Sequence, residues 1–436
     1  MSEHLKVGVG RSDITPPVGM WLAGYSPVRQ AESIHDRLHV TSFCIASGET
    51  RAMLAVAEVV SIPTDLSLEL RQQICEMTGV PAENIILSAT HTHSGPAVRR
   101  VIGGTMEPIE EYVRTVFRPA VLEAAKAAAS GLRPAQMGIG VTHSDVGINR
   151  RQMKEDGGIK LGQEPLAPYD PDMTVISFRE PDGTPIANLI HYGCHNTGAG
   201  KNTEITRDWS GVAIDRLEAE SGAVTAYFNS SEGDVGPRLT NGRTTGNLQL
   251  ALELGGIAAA DAMRAWKSIR EWKDVSLRTM QGSVKLPYEP FSTLEEVDRS
   301  IAELGDPANL KGLQNRHYAN LTERREMILR GEKAPEAKLI PECILALGPV
   351  AFYPMPFEMF TQVQVRIKRH SPFPYTVCIG LANGGNGYFP TQDQLCRGGY
   401  EVTMFRTMTI PFVENADQCY VEGSLKLLRE LYEKKN

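Results

Sequence analysis

Nothing in this 436-residue chain approaches the run of about 18 apolar residues that spans a bilayer, so no membrane-crossing helix is expected. The opening Met1-Ser-Glu-His-Leu-Lys-Val-Gly-Val-Gly10 has no charged start followed by an apolar core. The chain therefore reads as cytoplasmic, unless a leader has been removed. Cysteine is sparse and unpaired in pattern: seven residues (Cys44, Cys75, Cys194, Cys343, Cys378, Cys396, Cys419), odd in number, with no Cys-x-x-Cys. That fits reduced, mostly buried thiols better than a disulfide framework or a structural zinc site. There is no dense Lys/Arg stripe, and 45 basic against 52 acidic side chains give a net charge of -7, so nucleic acid is not an expected partner. Internal repeats and low-complexity tracts are also missing.

What is present is an ordinary globular composition, 42% hydrophobic and 22% charged, able to bury a sizeable core without staples. Short β-rich runs (Val40 to Ala46, Ala52 to Val60, Asn84 to Ser88, Met173 to Phe178, Ile186 to His191, Ala223 to Phe228) alternate with helical patterns near Leu66 to Met77, Glu110 to Ala129, Gly211 to Ser221 and Leu248 to Arg270. The alternation predicts an α/β fold with a mixed sheet flanked by helices, read as a single large catalytic domain over residues 1–436. From about Pro290 to Ala337 the chain turns charged and helical, the second helix capped near Asn320, which makes a helical insertion. A lid and a solvated connector are both open for it, the connector being the commoner case.

Two histidine clusters stand at strand ends, where α/β folds place chemistry. Ser88-Ala-Thr-His-Thr-His-Ser-Gly-Pro96 follows the apolar Asn84-Ile-Ile-Leu87, and on extended backbone His91 and His93 share a face and can point at one centre. For a bare His-x-His, an ordinary hydrogen-bonded pair is the commoner outcome; the Gly95-Pro96 turn and the second cluster shift the balance. That cluster, Ile190-His-Tyr-Gly-Cys-His-Asn196, offers His191 and His195. Zinc takes imidazoles plus a carboxylate and keeps a position open for water, and Glu358, in Tyr353-Pro-Met-Pro-Phe-Glu-Met-Phe-Thr361, stands after another apolar strand. Alone it reads as a helix N-terminal acid.

These residues, in order, resemble the neutral/alkaline non-lysosomal ceramidases. Gly10-Arg-Ser-Asp-Ile-Thr-Pro16, Ala23-Gly-Tyr25 and Ile34-His-Asp-Arg-Leu38 look like that family's opening, and Ala89-Thr-His-Thr-His-Ser-Gly-Pro96 like its central signature. Gly147-Ile-Asn-Arg150, Asp172-Met-Thr174, Gly233-Asp-Val235, Phe357-Glu-Met-Phe-Thr361 and Gly380-Leu-Ala-Asn383 through Gly387-Tyr388 to Tyr400-Glu401 continue the match. The resemblance implies a Zn2+ ion on His91, His195, Glu358 and Tyr388, with His93, Arg150 and Tyr400 as catalytic residues beside the scissile amide. His93 would pass a proton to the leaving amine, and Arg150 and Tyr400 would stabilise the oxyanion. A surface ion pair and a core ring are the plain alternatives for Arg150 and Tyr400, and for His191 a supporting role is preferred.

The chain departs from the family at Gly233-Asp-Val-Gly-Pro237, where the family carries Gly-Asp-Val-Ser-Pro; Gly236 replaces a serine held to matter for amide cleavage. Ser230 and Ser231 are nearby substitutes or plain turn residues. The chain also ends at Asn436 without the immunoglobulin-like C-terminal domain of longer members, and no amphipathic anchor stands out to reach a lipid surface. Arg207 and Arg238, with Gly236, are read as substrate-binding positions for a small polar or anionic molecule, surface or structural arginines being the equal alternative. The leading expectation is thus a zinc-dependent hydrolase cleaving a C–N amide bond of a small molecule with metal-activated water, an ester being a close variant. Ceramide amidohydrolysis and a non-catalytic, metal-containing binding relative are the alternatives. Oligomeric state is open.

Overall fold

The structure, a computed structural model, describes residues 4–98 and 107–434. Three mixed sheets form its frame. The first runs Ile85–Ala89, Thr50–Ala57, His39–Ser47, Leu5–Asp13, Arg133–Pro134; the second Val224–Asn229, Pro185–Tyr192, Asp172–Arg179, Gln136–His143; the third Leu277–Pro287, Ala337–Leu347, Val350–Met355, Tyr375–Gly380. Strand Thr50–Ala57 is buried from Ala52 onward because both of its faces are covered, which is why Ala52 to Ala57 reads as a continuous apolar run rather than an alternating one.

One face of each sheet joins a common core, in which Phe43 and Leu54 from the first meet Phe178 and Phe228 from the second and Leu345, Phe352 and Ile379 from the third. Phe43 and Phe228 pack tilted at 5.8 Å, and burying each ring contributes about 2–3 kcal/mol. The other faces take helices: Thr64–Thr78 and Arg118–Ser130 on the first, Asp208–Ser221 and Leu248–Lys267 on the second, Thr361–His370 and Ala416–Glu433 on the third. The expected α/β class is what the chain adopts, with the mixed pairing divided among three sheets. The helix expected over Glu110 to Ala129 is Glu107–Tyr112 and Arg118–Ser130 joined by a π-helical turn. Among the described residues no helix is long and apolar enough to cross a membrane.

Each sheet is antiparallel except for one parallel pair: Thr50–Ala57 with Ile85–Ala89, Pro185–Tyr192 with Val224–Asn229, and Val350–Met355 with Tyr375–Gly380. Parallel strands put their C-terminal ends at the same edge, and the loops leaving those ends carry the chemistry.

The excursion folds as two helices, Leu294–Leu304 and Leu313–Leu329, the first opened by a capping box between Thr293 and Glu296. The cap expected at Asn320 is corrected: that residue lies inside the second helix, its amide donating to the Thr407 carbonyl at 2.7 Å, a tertiary contact that overrides its preference for a helix start. Arg324 likewise donates to the carbonyls of Met408 and Thr409. The excursion is thereby tied to the chain just after the helix Tyr400–Arg406.

Candidate metal centre

His91 and His93 follow strand Ile85–Ala89, but the backbone is not extended at His91. The strand ends when the Thr90 and His91 amides turn to the carbonyls of Ala57 and Val59, and His91 sits at φ 68°, a left-handed conformation costly for a non-glycine residue. The turn aims the buried ring inward, and its Nδ1 lies 2.7 Å from the Val60 carbonyl. A carbonyl only accepts, so Nδ1 carries the proton and Nε2 presents its lone pair. His195, after strand Pro185–Tyr192, is fixed the same way: Nδ1 is 2.7 Å from the Glu232 carbonyl and 3.1 Å from that of Val235.

Both lone pairs face one carboxylate oxygen. Glu358 Oε2 is 3.5 Å from His91 Nε2 and 3.4 Å from His195 Nε2. Three acceptors meet with no hydrogen between them, and His195 Nε2 and Glu358 Oε2 are buried without any partner. These spacings match the edge of about 3.4 Å expected between ligands bound tetrahedrally at about 2.1 Å. Two imidazoles and a carboxylate are a zinc donor set, so the residues fit a divalent cation.

Glu358 belongs to a two-residue strand paired with Tyr388–Phe389, the register placing Glu358 beside Tyr388. The Tyr388 ring stacks on His195 at 6.5 Å, and its hydroxyl accepts from Arg150 Nη2 at 2.9 Å. Arg150 Nε donates to Glu401 at 2.9 Å, Arg151 holds the other Glu401 oxygen at 2.8 Å, and Glu401 is wholly buried. Tyr400 sets its ring 5.6 Å from Tyr388. The structure thus gathers His91, His93, His195, Glu358, Tyr388, Arg150 and Tyr400 from segments far apart in sequence.

His93 joins the imidazoles rather than standing outside them: its Nε2 is 3.2 Å from His91 Nε2, and its Nδ1 has no partner. The ring is seated by Tyr25, edge-on at 4.9 Å, and by Gly24, where an added Cβ would lie 2.3 Å from Nδ1. Burial and the neighbouring rings hold His93 well below the usual histidine range; burial, with Arg150 and His91, lowers His195 to about 3. Burial alone would raise Glu358, but His91 and His195 outweigh it and hold the carboxyl well below its usual range. His93 and His195 are therefore neutral imidazoles, and Glu358 a carboxylate, at neutral pH.

The sequence profile described as neutral/alkaline non-lysosomal ceramidase, N-terminal, matches residues 5–250. The chain belongs to this ceramidase family. Neutral ceramidase A of Dictyostelium discoideum is 27% identical over 267 residues, 55% of this chain and 36% of that protein. Neutral ceramidase of Mycobacterium tuberculosis is 25% identical over 268 residues, 54% and 40% of the two chains. The match thus spans little more than a third of the curated relatives' length. The crystal structure of neutral ceramidase from Pseudomonas aeruginosa superposes with a TM-score of 0.73 at 20% identity, covering 99% of this chain and 75% of that one. A ceramidase complexed with C2 gives 0.75 at 19%, covering 99% and 76%. The fold therefore follows these ceramidase structures beyond residue 250, through the part that supplies Glu358, Tyr388 and Tyr400.

The remaining expected residues stand apart from the cluster in their contacts. Arg207 is committed to two carboxylates, its Nε to Asp36 at 2.6 Å and its terminal nitrogens to Asp215 at 2.8 and 2.6 Å, so its guanidinium is structural rather than a free anion reader. Arg238 lies over the Tyr169 ring and bonds the Gly147 carbonyl at 3.3 Å. Gly236 pairs with Ile148, and a Cβ built on it would fall 2.6 Å from Thr244 Cβ. The space a serine side chain would need at this family position is filled by Thr244. Ser230 is bonded to Gln364 and the Cys378 carbonyl, while the Ser231 hydroxyl is buried without a partner. His191 turns to the Cys378 carbonyl at 2.7 Å, a supporting position.

Sequence reading missed Glu232, Asp234 and Glu401. Asp234 accepts from the Thr361 amide at 2.8 Å and from Asn149 at 3.2 Å, tying the segment after Glu358 to the residue before Arg150. Glu232, wholly buried, is within 4.8 Å of the His91 and Glu358 ligand atoms. An acid embedded in Asn229-Ser-Ser-Glu-Gly-Asp234 looks like any turn; only the fold shows that the turn is buried.

Proposed function

We propose that this protein is a metal-dependent amidohydrolase acting on the amide of an N-acylated sphingoid base, a ceramide-type lipid. The observation that carries the reading is the convergence of the His91 and His195 lone pairs on Glu358 at 3.4–3.5 Å without a hydrogen between them. Membership of the ceramidase family supports the bond class and favours the lipid over the generic small amide expected from the sequence. Zinc is the proposed ion, held by His91, His195, Glu358 and Tyr388; when bound it supplies a Lewis acid and a hydroxide-forming water near neutral pH.

The chain's own groups do the rest. Backbone carbonyls of Val60, Glu232 and Val235 keep the protons of His91 and His195 on Nδ1, leaving Nε2 for ligation. His93, neutral and with Nδ1 unpartnered, is placed to hold the proton that the leaving amine requires. Arg150, fixed by Glu401, keeps its charge beside Tyr388, and with Tyr400 it supplies the positive and hydroxyl groups toward a developing oxyanion.

A smaller amide is favoured as second reading by one observation, the loss of the family serine at Gly236 and the filling of its space by Thr244. The test is hydrolysis of detergent-dispersed N-acylsphingosine and of short-chain N-acyl amines side by side, with metal content measured on the same preparation. Release of sphingoid base supports the first reading, and turnover of the small amides alone supports the second. Stoichiometric metal with no turnover of either would leave a binding relative and reject both.

A further inference from the structure

Glu232 poses a problem the four-residue site does not solve. Its side chain is wholly buried, and neither carboxylate oxygen has a hydrogen-bond partner. A buried carboxyl group left this way is unfavourable, and Glu358, the neighbouring acid, adds repulsion. Arg150, the cation acting on it, is already bonded to Glu401 and Tyr388. Yet the fold makes room for it. Gly380 closes strand Tyr375–Gly380, and a Cβ there would lie 2.8 Å from Glu232 Oε2 and 2.1 Å from the Ser230 carbonyl. Any other residue at 380 would displace the turn that carries Glu232.

The direction of the side chain is set by its own backbone. The Glu232 carbonyl fixes the His195 tautomer at 2.7 Å, so residue 232 borders the centre, and its carboxylate falls within 4.8 Å of the ligand atoms of His91 and Glu358. Two ligands of one ion bound at 2.0–2.4 Å stand at most about 4–5 Å apart, so atoms that all lie within 4.8 Å of one another can share a cation. We infer that Glu232 is a further carboxylate ligand of the ion held by His91, His195 and Glu358. The inference rests on the metal reading above and deepens it: the site then offers two carboxylates, a harder and more anionic donor set than the family pattern read from the sequence. Glu232 would thus serve twice, orienting a ligand histidine through its carbonyl and ligating through its side chain.

The test is a cobalt(II) titration of the full chain stripped by chelation, comparing wild type with Glu232→Gln, Glu232→Asp and His91→Ala, read by visible absorption and by melting of the metal-free and loaded forms. Glu232→Gln is expected to bind cobalt at least about 10-fold more weakly. Its absorption should intensify as coordination number falls, and loading should raise its melting temperature less than it raises that of wild type. Equal affinity and an equal spectrum in wild type and Glu232→Gln, with His91→Ala impaired, would overturn this inference and leave the metal reading standing. No cobalt binding by wild type would overturn both. If Glu232→Gln does not fold, Glu232→Asp carries the test: its shortened carboxylate predicts weaker binding, and unchanged affinity overturns the inference.

Discussion

Replacing Glu401 by glutamine should damage this protein more than any single change at its surface. Glu401 is fully buried between Arg150 and Arg151, whose side chains are 8% and 3% exposed, and gives one oxygen to each at 2.9 and 2.8 Å. The amide keeps the shape but has one acceptor oxygen, so its NH2 must face a guanidinium, and a buried positive charge is left uncompensated. Breaking such a pair from one side costs about 3–5 kcal/mol. At about 2 °C per kcal/mol for a large domain, Tm should fall by roughly 6–10 °C. Because Arg150 also holds the Tyr388 hydroxyl, hydrolysis should fall mainly in kcat. The control is Glu414→Gln, which breaks a pair with Arg406 whose side chains are 49% and 60% exposed and should cost under about 1 kcal/mol. If Glu401→Gln melts within about 2 °C of wild type at unchanged turnover, the buried charge network is not what fixes Arg150.

Three further changes probe other parts of the account. Gly24→Ala puts a methyl 2.3 Å from His93 Nδ1 at a backbone φ of 90°, so the ring must move; turnover should drop at least about 10-fold with metal retained, and loss of the metal instead would make His93 a ligand. Gly236→Ser forces its Cβ against Thr244 and should cost about 1–3 kcal/mol in thermal melts; adding Thr244→Ala should recover most of that, and no recovery would remove Thr244 as the cause. His191, lowered by burial to about 4, stays neutral in the fold below the pH at which the unfolded chain takes up a proton. Its contribution is therefore fully present above about pH 6.5 and is lost as pH falls toward 4, about 3 kcal/mol in all. His191→Gln should flatten the fall in Tm across that window, and an unchanged slope would assign it to other groups.

Three strands in each of the first two sheets, and the helices on them, were legible because their apolar runs are long and end at clear breakers, as at Ile186 to His191; Leu5–Asp13 and Gln136–His143, with glycines and polar residues interleaved, were not. The third sheet was less so: Ala337–Leu347 contains Pro341 and Glu342, which interrupt the pattern, and Glu342 is buried against Tyr420 only through the fold. His91, His93 and His195 stood out because histidines at strand ends are unusual, whereas Glu232 and Glu401 look like ordinary acids in a turn and in a helix's first turn. Their importance comes from burial, which no local pattern encodes. Arg207 shows the converse: an arginine near a histidine cluster suggests an anion, but Asp36, distant in sequence, and Asp215, in the helix that follows, occupy it.

The central claim is that His91, His195 and Glu358 meet around a cation that amide hydrolysis requires. Elemental analysis of the purified chain and of His91→Ala, with hydrolysis of dispersed N-acylsphingosine on the same samples, tests it most directly. About one divalent ion per chain, lost together with turnover in His91→Ala and on chelation, is the result expected. Turnover that persists in metal-free protein, or a wild-type chain that carries and binds no divalent ion, would contradict it.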